Sequence, residues 1–398
     1  MHGNDLRTEI AQLPAPLRAR LEAAGFDAER LISLAASLSL PARGDGDATA
    51  RRDDRNRLRG TVDPPRPTDV AEAPAPGSPD YERLAALGLA AIGRGELAFC
   101  VMAGGMATRM GGVVKALVEV FDGHTFLELR LNENANWSER ARSPVPLWLM
   151  TSEGTDRPIR EALARIGAGP HVATFMQDLG LRLTREGRLF LGDDGNPSTY
   201  ATGHGDLPDA LRRSGRLSAF IERGGKYVWI ANLDNLGATI DPALLGWFIE
   251  RNAELMVEVT PKDDADRGGI PVWTDAVDNK GSPVRRLQVL EEFRLPKGFD
   301  AASVRAFSTN NFLVRASALA HAKVAWSWCE VEKKVGDRIA IQFERLLQEL
   351  TAAIPAVYVR VPREGSVARF LPVKDHDELG RRRAVIRAVA ESRGMLRA

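Results

Sequence analysis

The sequence predicts an α/β protein, a mixed, mostly parallel sheet with helices on both faces, and three observations predict it. From about Tyr81 onward, short apolar runs alternate with segments of helical period. Residues suited to ligand contact, Gly104, Ser152, Gln177 and Asp234, fall just after apolar runs, where open α/β sheets bind their ligands. The 398-residue chain is 44% hydrophobic, which supports a sizeable core.

Residues 5–40 read as helical, because Leu17, Leu21, Phe26, Leu31 and Leu34 recur at roughly helical spacing. Residues 41–80 are rich in Pro, Gly, Asp and Arg and almost free of large apolar side chains. Such a segment cannot offset its own ordering entropy, so it is expected as a linker or an arm over the main body. The main unit is expected over residues 81–376. It opens with a strand at 97–103 and continues through a helix at 125–137, a strand at 145–152 and a helix at 158–166. A strand at 171–177, a helix at 206–223 and a strand at 226–235 follow. Beyond residue 250 the runs at 255–262, 270–274, 285–293 and 307–314 read as short strands. Residues 337–352 read as an amphipathic helix, 355–362 and 369–374 as further apolar runs, and 377–398 as a last helix. The arginines 381–383 on that helix are expected to form a solvated face.

The 54 Lys and Arg nearly cancel the 53 Asp and Glu, so charge offers no case for nucleic acid or an anionic membrane as partner. The two cysteines, Cys100 and Cys329, stand in no metal-ligand spacing, and Cys100 inside an apolar run reads as a buried thiol. No secretory pattern opens the chain, and no apolar run reaches the ~18 residues that span a bilayer. A cytoplasmic protein is expected, with homo-oligomerisation left open.

Four constellations carry chemistry. Gly104 and Gly105 end the first strand of the main unit, followed by Arg109 and Lys115. Glycines let backbone N–H groups approach phosphate oxygens, and Arg can grip two of them at once. The spacing is neither a P-loop nor G-x-G-x-x-G. His204 stands between Gly203 and Gly205, either an exposed loop histidine or a donor to a sugar hydroxyl or phosphate. Asp234, flanked by Asn232 and Asn235 after an apolar strand, suits Mg²⁺ held by one carboxylate with substrate phosphates, or else caps a helix. Lys374 closes the run RFLPVK; on its own it reads as solvent-facing.

In this order the constellations resemble the UTP–glucose-1-phosphate uridylyltransferase family (UDP-sugar pyrophosphorylases). The resemblance runs over about residues 97–379 and includes TFLEL, VPLWLMTS, GHGDL, KYVWIANLDNLGATID, VEVTPKDDADRGG, FSTNN and RFLPVK. It implies a Rossmann-like, GT-A-like nucleotidyltransferase fold, and an enzyme that makes a nucleotide sugar and pyrophosphate from a nucleoside triphosphate and a sugar 1-phosphate with Mg²⁺. UTP and glucose 1-phosphate are the favoured substrates. By motif, Gly104 and Gly105 would approach base and ribose, and Gln177 and Gly203 would read the base edge. Arg109 and Lys115 would hold the triphosphate, Asp234 would bind Mg²⁺, and Lys374 would reach back to the phosphates. His204 and Asn232 would contact the sugar phosphate, and Glu291 and Asn311, with Asn310 beside them, would serve the sugar side.

Ala107 replaces a family glycine, Val114 replaces a proline, and the segment 285–311 matches less tightly. These departures keep open a GTP-dependent or cyclitol-phosphate variant, with Ala107 expected at the nucleotide site. The chain ends 24 residues after Lys374, so the family's C-terminal β-helix domain is not expected. A binding protein without turnover would have lost charged positions, and Arg109, Lys115, Asp234 and Lys374 are all present.

Overall fold

A computed structural model describes residues 2–38, 48–277 and 281–396. Residues 39–47, which include the start of the expected arm, and 397–398 of the expected last helix lie outside the described residues.

Eight strands form the central sheet: β1 (Val70–Glu72), β2 (Leu97–Met102), β3 (Leu147–Thr151), β4 (Val172–Met176), β5 (Tyr227–Asn232), β6 (Leu255–Pro261), β7 (Ala306–Arg315) and β8 (Ala356–Arg360). Their order is β1-β8-β6-β7-β5-β2-β3-β4, and β7 alone runs against the other seven. The parallel registers pair Asn232 with Met102, Met102 with Met150, and Thr151 with Met176. The carboxyl ends of β5, β2, β3 and β4 therefore finish in one row.

Both faces of this sheet are covered, so its strands read as continuous apolar runs. Phe99, Val101, Leu147, Leu149 and Trp229 face one helical layer, while Ala98, Cys100, Trp148, Met150, Val228 and Ile230 face the other. On the first face, helix α1 (Pro79–Gly93) crosses helix Pro242–Glu250 at two glycines. A Cβ on Gly88 would lie 1.9 Å from the Pro242 carbonyl oxygen, and one on Gly246 would lie 2.0 Å from that of Leu84. Helix α2 (Phe126–Arg140) starts at a capping box, in which Thr125 Oγ1 accepts from the Glu128 N–H and Glu128 accepts from the Thr125 N–H.

The N-terminal helical region is three helices, His2–Ala11, Ala15–Ala23 and Ala28–Leu38. Their apolar faces pack on Leu179, Leu181, Leu183, Leu189, Ile341 and Phe343. Within the expected arm, Ala48–Asn56 is helical, Val62–Asp63 pairs with strand Gly269–Val277, and Val70–Glu72 is the sheet's edge strand.

The segment 337–352 is not one helix. Arg338–Glu344 is a strand paired antiparallel with Cys329–Val335, and only Leu350–Ala353 is α-helical. Gly336, at φ +59°, and Asp337 form a two-residue hairpin turn between the paired residues Val335 and Arg338. That turn, with Ile341 and Phe343 alternating into the core, overrides the helical spacing. The helix expected at 206–223 is two, Leu207–Arg213 and Arg216–Glu222, broken at Gly215 with φ +72°. Among the described residues, no helix is long and apolar enough to cross a membrane.

Candidate active site

Just beyond the row of strand ends, backbone and side chains interlock. Ser152 Oγ donates to the Gly104 carbonyl (2.9 Å), and Gln177 Nε2 donates to the Gly203 carbonyl (3.3 Å). A Cβ on Gly104 would lie 2.9 Å from Gln177 Oε1, so the glycine lets this amide lie against the loop. Gly104, Gly105, Lys115, Gln177, Gly203, His204, Asn232 and Asp234 all line one cavity of about 630 Å³. A second cavity of about 460 Å³ has Glu291, Asn310 and Lys374 among its lining residues. The two share three lining residues, His204, Asn232 and Asp234.

At that shared wall, Lys115 Nζ lies 2.6 Å from Asp234 Oδ2, and Asn310 Nδ2 lies 3.3 Å from Asn232 Oδ1. His204 Nδ1 accepts the Leu347 backbone N–H at 2.9 Å. A backbone N–H only donates, so the neutral ring carries its proton on Nε2. Burial lowers the His204 pKa to about 4, which keeps the ring neutral at pH 7. Glu291 is pushed the other way: desolvation raises its carboxyl to about 7, and the hydrogen bond from Gln348 only partly opposes this.

The loop that presents Asp234 is pinned by three arginines, two of them buried (Arg130 and Arg369) and the third, Arg393, half-buried. Arg130 donates to the carbonyls of Asn232 (3.0 Å), Asn235 (2.5 Å) and Ala238 (2.9 Å). Arg369 donates to the Thr239 carbonyl at 2.8 Å, and Arg393 to the Gly237 carbonyl and Thr239 Oγ1. Glu133 and Glu258 balance the first two guanidinium groups at 2.8 and 2.6 Å.

The GHGD segment has its own anchor. Arg345 donates to Asp206 (2.9 Å), Asp209 (2.6 Å) and Asp178 (2.6 Å), while Arg212 and Arg213 complete the charge balance at Asp209 and Asp178. Gly203, at φ +102°, and Gly205 pack on the Arg345 backbone, where a Cβ would come within 2.5 and 2.6 Å respectively. The spacing G-H-G-D thus serves a buried arginine.

Three of the residues expected at the site are not brought to it. Arg109 stands exposed in the turn Thr108–Met110 and lines neither cavity. Asn311 is fully buried and donates weakly to Glu258 at 3.5 Å, because adjacent strand residues face opposite sides and it is Asn310 that takes the cavity side. Ala107 is also displaced from the nucleotide site: it is 5% exposed, and its methyl belongs to the hydrophobic core. Of the C-terminal arginines, Arg382 lines the second cavity and pairs with Glu378 at 2.9 Å, so that face is not wholly solvated.

Residues outside the expected set complete the walls. Arg182, Gln342 and Glu344 line the first cavity, and Arg363, Asp266 and Gln348 line the second. Gln342 and Glu344 were detectable in principle, since they alternate with core-facing Ile341 and Phe343 along a strand after a Gly-Asp turn. Arg363 and Gln348 carried no local signal.

Among the described residues, no group of three or more His, Cys, Asp or Glu side chains could hold a metal. Asp234 is a single carboxylate at the junction of the cavities. That fits a hard cation whose remaining ligands are substrate phosphates and water.

A family model described as UTP–glucose-1-phosphate uridylyltransferase matches residues 72–385. A UTP–glucose-1-phosphate uridylyltransferase of Hordeum vulgare is 30% identical over 346 residues, covering 79% of this chain and 66% of its own. One of Pyrus pyrifolia is 31% identical over 305 residues, covering 69% and 59%. The chain thus spans less than two-thirds of the length of these relatives. Among solved structures, a UDP-glucose pyrophosphorylase variant of Leishmania major in complex with UDP-glucose superposes with a TM-score of 0.68 at 19% identity, covering 95% of this chain and 78% of that one. A UDP-N-acetylglucosamine pyrophosphorylase of Trypanosoma brucei gives 0.67 at 19% identity, covering 95% and 84%. At that identity these likenesses establish the fold.

Proposed function

The chain belongs to the UTP–glucose-1-phosphate uridylyltransferase family, and from that membership we propose that it transfers a uridylyl group from UTP to glucose 1-phosphate. The observation that carries the proposal is the pair of cavities meeting at His204, Asn232 and Asp234. The nucleotide occupies the cavity walled by Gly104, Gly105, Gln177 and Gly203, and the sugar phosphate occupies the one walled by Glu291, Asn310 and Lys374. The two phosphates then meet at the shared wall.

A phosphate oxygen of the sugar 1-phosphate attacks the α-phosphorus of UTP. The bond from that phosphorus to the bridging oxygen breaks, and pyrophosphate leaves with the electron pair. No protein nucleophile takes part, so the chain contributes position and charge. Lys115 exchanges its carboxylate partner for triphosphate oxygens, and Lys374 approaches the same charge from the sugar side. His204 donates its Nε2–H to the sugar phosphate and cannot take up a second proton at neutral pH. Asp234 would hold Mg²⁺, which when bound neutralises charge on the phosphate oxygens.

Asp234→Ala tests this reading. It should lower kcat by roughly 10²–10³ with a smaller change in UTP binding, as expected when transition-state charge stabilisation is lost. Full turnover in Asp234→Ala would overturn it.

A further inference from the structure

The sugar-side cavity contains an acceptor that the protein leaves unused. Gln348 is 3% exposed and lines this cavity. Its Nε2 donates to Glu291 Oε1 at 2.5 Å. The other end of the amide, Oε1, is buried without a hydrogen-bond partner. An unsatisfied buried carbonyl costs stability, and such an orphan beside a cavity calls for a donor from the ligand.

The side chain is also held in place. The Gln348 backbone carbonyl accepts from Thr351 Oγ1 at 2.6 Å, and that hydroxyl accepts from the Val289 N–H at 3.0 Å, tying the turn to strand Pro283–Glu291. The preceding residue, Leu347, donates to His204 Nδ1. One turn, Leu347–Glu349, therefore holds both His204 and Gln348, which line the same cavity.

We infer that Gln348 is a specificity-determining residue. Beside Glu291, its unpartnered Oε1 accepts from one free ring hydroxyl of the sugar phosphate, and it selects against substrates in which that hydroxyl is absent or blocked. The inference rests on the transferase reading above and deepens it. The donors a sugar 1-phosphate offers are hydroxyls, and a site built to bond a hydroxyl rejects an analogue lacking it, because its buried polar groups are then left unpaired.

The test is pyrophosphate release with UTP and a series of glucose 1-phosphates deoxyfluorinated at positions 2, 3, 4 or 6, compared with the parent sugar. Wild type, Gln348→Ala and the volume-preserving Gln348→Met are compared, with thermal unfolding confirming that each variant folds. Wild type should favour the parent over one analogue by roughly 10²-fold in kcat/KM, the cost of leaving one buried polar group unpaired. Both variants should lose roughly 10-fold or more on the parent while distinguishing parent from that analogue by no more than about 3-fold. A loss of equal factor on every sugar, or no loss, would overturn the inference while the transferase reading stands. Failure of the wild type to turn over any of these sugars would remove the transferase reading, and the inference with it.

Discussion

At His204 a single hydrogen bond determines what the residue offers a ligand. The Leu347 N–H occupies Nδ1, so the ring presents an N–H and not a lone pair to the cavity. Nitrogen chemical shifts of His204 should report the Nε2–H tautomer, neutral down to about pH 5; a ring titrating near pH 6.5 would contradict the assignment. The linkage has a definite sign. With a folded pKa of about 4 against 6.5, the unfolded chain takes up a proton between those values that the folded chain refuses, so stability falls as pH drops through that window. Glu291 works in the opposite direction. Its folded carboxyl keeps its proton up to about pH 7 while the unfolded one ionises near 4.5, so its contribution declines as pH rises from 4.5 to 7. Removing the imidazole with His204→Asn should therefore flatten the acid side of a Tm-against-pH curve, and an unchanged acid side would contradict the burial of this ring. Ala107 makes the complementary case. Its methyl packs in the core, so Ala107→Gly should cost about 1.5 kcal/mol, the value of one buried methylene plus a glycine penalty, and leave the UTP-to-GTP preference unchanged. A changed base preference would return Ala107 to the nucleotide site.

Between strand ends, the element that matters most is the loop carrying Asp234. Its carbonyls are collected by Arg130 from α2, by Arg369 from the RFLPVK segment, and by Arg393 just past the last helix. Arg393→Lys keeps the charge but not the fork that reaches Gly237, Thr239 and Ala368 together. Such a change should lower kcat by roughly tenfold through misplacement of Asp234, with little effect on UTP binding. Loss of stability with kcat unchanged would make the clamp merely structural. The arginines could not be assigned this role from the sequence, because the contacts join residues more than 100 positions apart. Asp234 and its flanking asparagines were legible, because they follow an apolar strand. The hairpin at Gly336 and Asp337 shows the reverse failure. Its turn residues were visible, but the spacing of apolar residues from 337 to 352 suggested one helix.

Over the whole molecule, the alternation of apolar runs and helical segments was enough to predict a mostly parallel sheet with both faces covered. The row of strand ends gathers most of the residues singled out by motif. What was not legible is which side of a strand each residue takes where the backbone is irregular. Asn310, at φ +58°, stands at the cavity and Asn311 in the core. Tertiary packing also recruits the N-terminal helices. They cover Ile341 and Phe343, whose strand neighbours Gln342 and Glu344 line the larger cavity, where the nucleotide is proposed to bind. Leu21→Ala, in that cluster, should cost about 2–5 kcal/mol as a buried leucine truncation and raise KM for the nucleotide more than it lowers kcat. Denaturant unfolding and steady-state kinetics read these two effects separately. The two adjoining cavities are proposed to bring UTP and glucose 1-phosphate together at Asp234. The most direct test is pyrophosphate release with UTP and GTP crossed against glucose 1-phosphate, an amino-sugar 1-phosphate and a cyclitol phosphate. Turnover should be fastest with UTP and glucose 1-phosphate; turnover with GTP and not UTP, or with the cyclitol phosphate alone, would rule this arrangement out.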